Sequence, residues 1–300
     1  MKQSAKGRAD EHKREVPMKV MVRPARTEDR KPLMAFISHV WGGHDYIPRV
    51  WDQWLHARRG KMFVVELGGA PVGMNRVRFL EDGCAWFEGA RVHPDFRGRG
   101  LAAMLGESSM KFAVAEGAHV FRLTSGSHNK AAHRQISKMR FREVSRFSVY
   151  EPRGSTKPEP IGTPKKMVPG ELRTALSILR RTREFRLGCG VFWHDFAAAT
   201  LSRDVMSLLL AEGAVWQDGD AVAVTRSGGG GEGNWEEICF LGGPVKNSMK
   251  LVRALVGRDA KATERFVFVP QGSPIISVLR GEGYVRNFSM VLFERKATKG

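Results

Sequence analysis

The chain has 300 residues, 42 % of them hydrophobic, and a formal net charge of +18. This composition excludes a wholly disordered protein, a collagen-like chain and a disulfide scaffold. The length predicts about two domains of ~100–200 residues each, and no run approaches the ~20 apolar residues that a membrane-spanning helix needs. The positive charge predicts a polyanionic partner, which could be nucleic acid, an acidic membrane surface or a phosphorylated cofactor.

The three cysteines, Cys84, Cys189 and Cys239, are widely separated. None belongs to a C-x-x-C pair or lies beside a histidine cluster, so the spacing predicts no metal site. A sparse, odd cysteine count fits a reducing compartment, and the N-terminus lacks the apolar segment of a secretory signal. The sequence therefore predicts a cytoplasmic protein.

In chain order, residues 1–17 are polar and basic and are predicted to form a flexible tail. The first domain is predicted over residues 18–151, where alternating patterns and turn signals indicate strands and amphipathic patterns indicate helices. The predicted strands are 19–23, 61–67, 72–79, 84–92, 119–124 and 141–150. Four helices are predicted: one that ends near residue 39, one that follows Pro48, and two that cover residues 101–115 and 129–139.

Residues 152–169 are rich in proline and are predicted to be a linker. A second α/β segment follows over residues 170–296, and its final strand–helix–strand–helix–strand order resembles that of residues 85–150. A glycine-rich stretch at 227–234 has no basic residue and opens no helix, so it is predicted to be a hairpin loop. The sequence therefore predicts two related halves.

The strongest local motif lies at residues 88–102, where a predicted strand, a Gly/Arg turn and a predicted helix follow one another. Glycines allow backbone N–H groups to converge on one concavity, and the helix N-terminus adds partial positive charge. Arg97 and Arg99 add full charges beside it. The motif predicts a binding site for a pyrophosphate, although an exposed basic turn would give the same pattern.

Two familiar phosphate-binding folds do not fit this motif. It lacks the Lys-Ser/Thr pair of a P-loop NTPase. The strands before it form a meander rather than the βαβ unit of a dinucleotide-binding fold.

Three segments resemble the GNAT acetyltransferase superfamily: residues 22–29, the loop 97–102, and residues 129–132 with the helix that runs to Phe141. The resemblance implies an α+β, three-layer fold with a mixed, mostly antiparallel sheet flanked by helices, followed by a second, degenerate domain of the same type. It also implies acetyl-CoA as co-substrate and no metal. The cofactor-binding residues that it implies are Arg91, Val92, Arg97, Gly98, Arg99, Gly100, Leu101, Ala102, Asn129 and Arg134.

In that superfamily the strand before the loop splays from its neighbour, which frees backbone groups for the pantetheine; here those groups belong to Arg91 and Val92. Asn129 and Arg134 would contact the pantetheine or the phosphates. Arg134 could equally lie on a solvated helix face.

A narrower resemblance links residues 42–55, with Gly42-Gly43-His44-Asp45-Tyr46-Ile47-Pro48 and Trp54-Leu55, to the vertebrate histidine N-acetyltransferase family. Residues 88–94 also match that family. This resemblance implies acetyl transfer to an amine, with the α-amine of an amino acid as one candidate. Asp45 and Tyr46 lie where such enzymes bind the acceptor, but a helix cap and a packed aromatic would explain them equally well.

Glu88 is the candidate catalytic base. A carboxylate can remove the proton that makes an amine unreactive, and the superfamily usually places a glutamate on this strand. Alternating side chains would put Glu88 and Val92 on one face of the strand, with a backbone N–H near Val92 to meet the oxyanion. Glu88 could instead bind the acceptor or be structural.

The sequence departs from the family at its usual general acid. Ile136 stands where the tyrosine is common, and Arg140 replaces the glycine before Phe141. His133 or a water molecule would then have to reprotonate the thiolate. Trp193-His194-Asp195 is not predicted to form a local dyad, because adjacent residues on a strand point to opposite faces.

These residues predict an acetyl-CoA-dependent N-acetyltransferase that acts on a small-molecule amine or amino acid by direct attack in a ternary complex. The alternative is a non-catalytic GNAT-like protein that binds nucleic acid or senses acetyl-CoA. The charge and the missing tyrosine favour the alternative, whereas the lack of an aromatic–basic platform or a helix-turn-helix pattern weighs against nucleic acid.

Overall fold

The computed structural model describes residues 19–153, 162–230, 233–256 and 261–297. The predicted tail, residues 1–17, and the central part of the predicted linker, residues 154–161, lie outside the described residues. Within the described part of the chain, no helix is long and apolar enough to cross a membrane.

The described residues of the first half form six strands and four α-helices. The strands are β1 (Val20–Pro24), β2 (Gly60–Leu67), β3 (Ala70–Phe79), β4 (Ala85–Val92), β5 (Val120–Gly126) and β6 (Arg142–Pro152). The helices are α1 (Arg30–Ile37), α2 (Ile47–Leu55), α3 (Leu101–Ala115) and α4 (Lys130–Lys138). The elements predicted in this half are therefore present, with shifted ends.

The second half continues the alternation of strands and helices. Its strands are β7 (Lys165–Lys166), β8 (Val191–His194), β9 (Ala197–Thr200), β10 (Val215–Asp218), β11 (Ala221–Gly230), β12 (Gly233–Gly242), β13 (Ala262–Pro270) and β14 (Tyr284–Lys296). Its helices are α5 (Leu172–Arg181), α6 (Arg183–Leu187), α7 (Arg203–Ala211), α8 (Val245–Leu255) and α9 (Ile275–Gly281).

Twelve strands join into one sheet in the order β1-β2-β3-β4-β5-β14-β6-β13-β12-β11-β10-β7, and β8 and β9 form a separate hairpin. Among the described strands, β4–β5 and β12–β13 pair in parallel and the other pairs are antiparallel. The sheet is mixed and mostly antiparallel and is flanked by helices, which confirms the predicted fold class.

Strand β14 is the last strand of the second half, yet it lies among the strands of the first half. It pairs antiparallel with β5 on one side and with β6 on the other, while β6 also pairs with β13. Each half thus uses a strand from the other. Strands β5 and β6 would lie apart without β14.

Helices cover both faces of the first half. Helix α3 packs on a cluster that includes Phe63, Val65 and Leu105, whereas α1 and α2 bury Leu33 and Trp51 on the opposite face. The alternation of β2 side chains between these clusters follows from the two-residue period of a strand.

The face of β4 that bears Trp86 continues into the core of the second half. Trp86 packs edge-on against Trp193 of β8, with ring centroids 6.1 Å apart, and both rings are buried. This shared core fixes the β8–β9 hairpin against the first half.

Two features differ from the sequence-based prediction. The glycine-rich stretch 227–234 is mostly strand: β11 extends to Gly230 and β12 begins at Gly233, with residues 231 and 232 outside the described part. The β8–β9 hairpin was not predicted. It turns through Asp195 and Phe196, which both have positive φ, a conformation for which the sequence lacks the usual Gly or Asn.

Candidate active site

Strands β4 and β5 separate at the end of their short parallel pairing. They pair only over Ala85–Phe87 and Phe121–Leu123, yet β4 continues to Val92 and β5 to Gly126. The backbone of β4 beyond Phe87 thus has an edge that is not taken by β5. This is the splay that the resemblance implied.

A β-bulge distorts β4 beside this opening. Glu88 pairs with Arg76 and Arg91 with Met74, so that Gly89 and Ala90 together face a single residue of β3. Gly89 has φ +67°, and a Cβ there would approach the Trp54 ring to 2.6 Å. Glycine is therefore required both by the backbone and by the close packing of Trp54.

The bulge corrects the prediction that Glu88 and Val92 share one face. Val92 packs with the cluster beneath α3, whereas Glu88 contacts Arg76 on the opposite face. The extra residue of the bulge interrupts the two-residue alternation between them. The candidate base and the end of the strand therefore point to opposite sides of the sheet.

The turn after β4 delivers the chain to the N-terminus of α3. Gly98 and Gly100 have φ of +80° and +78°, values that a side chain would make costly, and Gly100 is the N-cap of α3. N–H groups at the start of a helix lack partners within it, and here the Ala103 N–H is the first that donates to the Gly100 carbonyl. The turn therefore presents the converging donors that an anion requires.

A cavity of about 1190 Å³ opens at this helix N-terminus, between α3 and α4. Its charged lining is strongly basic and comprises Arg97, Lys111, Arg134, Lys138, Arg140 and Arg295, with Glu107 as the acidic member. Such a lining favours a ligand with several negative charges.

Most of the predicted cofactor residues lie together at this cavity. Those that line it are Val92, Arg97, Gly98, Gly100, Leu101, Ala102 and Arg134. Arg99 is placed with its guanidinium 5.4 Å from the ring centroid of Phe96, which also lines the cavity. Asn129 caps α4 by accepting a hydrogen bond from the Ala132 N–H.

Arg91 turns its side chain away from the cavity and towards Asp45. Its Nε donates to Asp45 Oδ2 at 2.6 Å, and the Asp45 side chain is fully buried. The second Asp45 oxygen accepts from the Ile47 N–H at the start of α2. This arrangement favours a structural role for Asp45, which joins α2 to β4, over the predicted binding of an ammonium group.

Tyr46 stands close to the candidate base. Burial raises its pKa to about 12, and the negative charge of Glu88 adds to this effect. Its ring packs edge-on against Trp54, with centroids 5.7 Å apart, and Trp54 in turn lies 4.7 Å from the Arg76 guanidinium. Tyr46 and Trp54 therefore form one wall around Glu88.

Glu88 is held between two arginines of β3. Its Oε1 accepts from Arg76 Nη1 at 2.6 Å and lies 3.3 Å from Arg78 Nε, and the side chain is 14 % exposed. Burial raises the pKa of Glu88, and the positive charges of Arg78 and Arg76 oppose but do not cancel that effect.

The second half reaches this site through the β8–β9 turn. Both the carboxylate and the backbone carbonyl of Asp195 accept hydrogen bonds from Arg78, each at 2.8 Å. A smaller cavity of about 240 Å³ adjoins these residues and is lined by Arg59, Arg76, Arg78, His194 and others. His194 and Asp195 thus belong to this region without forming the local dyad that the sequence analysis rejected.

At the position of the usual tyrosine, the described part of the chain places an apolar side chain. Ile136 is buried in the core beneath α3. His133 directs Nε2 to the Gly126 carbonyl at 3.0 Å. Arg140 adopts a φ of +64°, the conformation for which the family's glycine is suited.

Sequence reasoning did not predict several residues of the site. Arg295 lines the large cavity and donates to the Met139 carbonyl, but it lies on β14, far along the chain. Lys111 and Lys138 face the cavity from α3 and α4, where helical spacing after the glycine turn would have identified them. Asp195 had no local signal, because only the pairing of the halves brings it to Arg78.

Residues 28–140 match the family model described as the acetyltransferase (GNAT) family. A histidine N-acetyltransferase of Oreochromis niloticus is 32 % identical over 82 residues, which is 27 % of this chain and 24 % of that protein. An uncharacterised N-acetyltransferase of Methanocaldococcus jannaschii is 26 % identical over 41 % of this chain and 60 % of its own length. The match to the histidine enzyme thus spans about a quarter of its length.

Solved structures extend the likeness in fold to nearly the whole chain. A GCN5-related N-acetyltransferase of Sphaerobacter thermophilus aligns with a TM-score of 0.59 and 15 % identity over 94 % of this chain and 96 % of its own. A putative acetyltransferase of Thermoplasma acidophilum gives 0.57 and 17 % over 92 % and 99 %. The family match thus covers residues 28–140, and the likeness to acetyltransferases of this type extends in fold to most of the chain.

Proposed function

We propose that this protein is an acetyl-CoA-dependent N-acetyltransferase that acts on the amine of a small molecule or amino acid by direct attack in a ternary complex. The observation that carries the proposal is the basic cavity at the N-terminus of α3, joined by the splayed β4 to a buried glutamate. Acetyl-CoA would supply the activated acetyl group.

The chain's residues fit the charged part of this co-substrate. Gly98 and Gly100 allow the turn to wrap closely around a pyrophosphate, and Arg97 and Arg134 place positive charge beside it. Beyond Phe87, β4 no longer pairs with β5, and the backbone of this segment would meet the amide-bearing arm. A backbone N–H near Val92 would stabilise the oxygen that becomes negative during transfer.

Glu88 would accept the proton of the attacking amine, directly or through a water molecule. Its raised pKa brings it nearer to neutral pH and so makes it a better base than an exposed glutamate. Arg76 and Arg78 hold its carboxylate in one position. Positioning of this kind contributes to rate by fixing the reacting geometry.

We place the acceptor in the smaller cavity beside Arg76 and Arg78. Guanidinium groups recognise carboxylates, so this lining supports an acceptor that carries an acidic group next to its amine. The partial match to histidine N-acetyltransferases points in the same direction. The acceptor class that we propose is therefore an α-amino acid.

Release of CoA with a panel of amino acids and their decarboxylated amines tests this proposal. We expect turnover with at least one amino acid, and a lower kcat/KM for the matching amine without a carboxylate. The proposal is lost if acetyl-CoA binds but no amine stimulates CoA release.

Glu88→Gln should lower kcat about 10²–10⁴-fold, which is the usual contribution of a general base, with little change in acetyl-CoA affinity. Glu143→Gln, which alters an exposed carboxylate of β6 paired with Arg146, is the matched control and should leave kcat unchanged. Equal activity of Glu88→Gln and the wild type would remove Glu88 from its proposed role.

A second candidate is an acetyl-CoA-binding protein without turnover. The burial of Ile136 at the position of the usual general acid favours it. In that case acetyl-CoA would protect the protein against thermal unfolding while every amine in the panel failed. A nucleic-acid-binding protein would instead bind polynucleotides without acetyl-CoA, with an affinity that falls steeply with salt.

A further inference from the structure

His194, Glu237 and Cys239 meet in the second half of the chain. Glu237 and Cys239 lie two residues apart on β12 and His194 ends β8. One ligand atom from each lies within 4.8 Å of the others. These residue types together form a donor set of nitrogen, oxygen and sulfur, which is typical of zinc sites.

Two of the three spacings come close to those around a tetrahedral cation. Glu237 Oε2 lies 3.6 Å from His194 Nδ1 and 3.8 Å from Cys239 Sγ. Ligand atoms around tetrahedral zinc lie about 3.3–3.6 Å apart, given bond lengths of ~2.0 Å to nitrogen and oxygen and ~2.3 Å to sulfur. If each of these two contacts shortened by a few tenths of an ångström, both would match the spacing of ligands around zinc.

The electrostatics leave this cluster in need of a positive charge. The Glu237 side chain is 2 % exposed, and its Oε2 accepts a 3.2 Å hydrogen bond from the Asp195 N–H. His194 Nδ1 is buried and makes no hydrogen bond within the described residues. Arg226, whose charge acts on Cys239, pairs with Glu212 at 2.9 Å. A buried carboxylate with partners at such long distances is costly unless a cation joins it.

We propose that His194 Nδ1, Glu237 Oε2 and Cys239 Sγ bind a divalent transition-metal cation of the zinc type. Binding displaces the thiol proton of Cys239 to solvent and makes affinity rise with pH, because the thiolate is the ligand. His194 also lines the smaller cavity, which would give the cation access from solvent. The cation joins the hairpin that carries Asp195 to the large sheet.

Cobalt and zinc titrations of the full chain, purified and treated with a chelator, test this proposal. We expect one Co²⁺ per chain, with a thiolate-to-cobalt charge-transfer band in the near ultraviolet and displacement by Zn²⁺. Cys239→Ser should abolish the band and weaken Zn²⁺ binding at least ~100-fold, beyond the ~10–100-fold that loss of an outer-shell partner costs. Cys189→Ser, at an exposed cysteine, should retain both.

Because Cys239 is buried, its substitution could unfold the protein, so a second variant tests the site independently. His194 is 29 % exposed at its side chain, and His194→Gln should keep the wild-type circular dichroism while losing the rise in Tm that Zn²⁺ gives the wild type. If the wild type binds less than stoichiometric metal, or if Co²⁺ bound to it shows no thiolate band, the cluster is a histidine–carboxylate ion pair and the proposal is overturned. Neither readout depends on acetyl transfer.

Discussion

At the scale of single residues, the candidate base is governed by charges on one strand of the first half, β3, and on one turn of the second half. Arg76 and Arg78 contact Glu88, and Asp195 contacts Arg78. The negative charge of Asp195 helps to raise the pKa of Glu88, whereas both arginines lower it. Asp195 is therefore a positioning residue that acts on Glu88 through Arg78.

Asp195→Asn gives a prediction with a definite sign. Removing this negative charge lowers the pKa of Glu88, so the acidic limb of log(kcat/KM) against pH should move to lower pH. The wild-type limb should lie above pH 4.5, the ordinary pKa of the group, and should vanish in Glu88→Gln. A limb that follows the amine pKa of different acceptors, and not the Asp195 substitution, would contradict this assignment.

Arg140 is a cavity residue whose backbone conformation disfavours a side chain. A left-handed conformation costs an L-residue about 1–2 kcal/mol, and Arg140 has φ +64° while its side chain lines the large cavity. Arg140→Gly should therefore raise the free energy of unfolding by roughly 1 kcal/mol and weaken acetyl-CoA binding severalfold.

Thermal unfolding and binding titrations measure these two effects of Arg140→Gly. Arg140→Asn is the matched variant, because asparagine tolerates this conformation and lacks the charge. A loss of stability in Arg140→Gly, or unchanged affinity in both variants, would contradict the interpretation.

At the scale of elements, the glycine turn and α3 were predicted from sequence, because helix-start signals and the positive-φ requirement are local. The bulge at Gly89 was not predicted from the sequence. A single glycine in a strand does not show whether it is needed for a β-bulge or for close packing of a neighbouring side chain. The large ring of Trp54 against Gly89 supplies the reason. The site residues on the turn were thus predictable, whereas the face of Glu88 relative to Val92 was not.

Arg97→Ala tests the turn as an anion site. We expect the dissociation constant for CoA to rise about 10-fold, as for loss of one charge-assisted contact, with a smaller effect at high salt. Calorimetry of the full chain measures it. Arg173→Ala, at an exposed position of α5, should bind CoA like the wild type, and an equal loss in both variants would point to a general charge effect.

At the scale of the whole molecule, the two halves share one sheet and one core. The sequence indicated two related segments, but it could not show that β14 lies between β5 and β6, because pairing between distant strands has no local signal. His194 of β8 likewise meets Glu237 and Cys239 of β12 from a distant part of the chain, although all three lie in the second half. Local sequence patterns therefore predicted most of the helices and strands, but they could not predict how the two halves interleave.

The interleaved sheet predicts one cooperative unfolding transition for both halves. Tryptophan fluorescence and far-ultraviolet circular dichroism should give the same Tm. A chain that ends at residue 283 lacks β14 and should lose the fold of the first half, including the cavity that Arg295 lines. Two separated transitions, or native acetyl-CoA binding by the shortened chain, would contradict this prediction.

The position of β14 also sets an order of events during synthesis. A ribosome that has made residues 1–283 carries β5 and β6 with edges that β14 has yet to fill, and open edges invite pairing with other chains. At ~5–20 residues per second, the first half is made many seconds before its last strand. We expect the nascent chain to require chaperone protection over this interval.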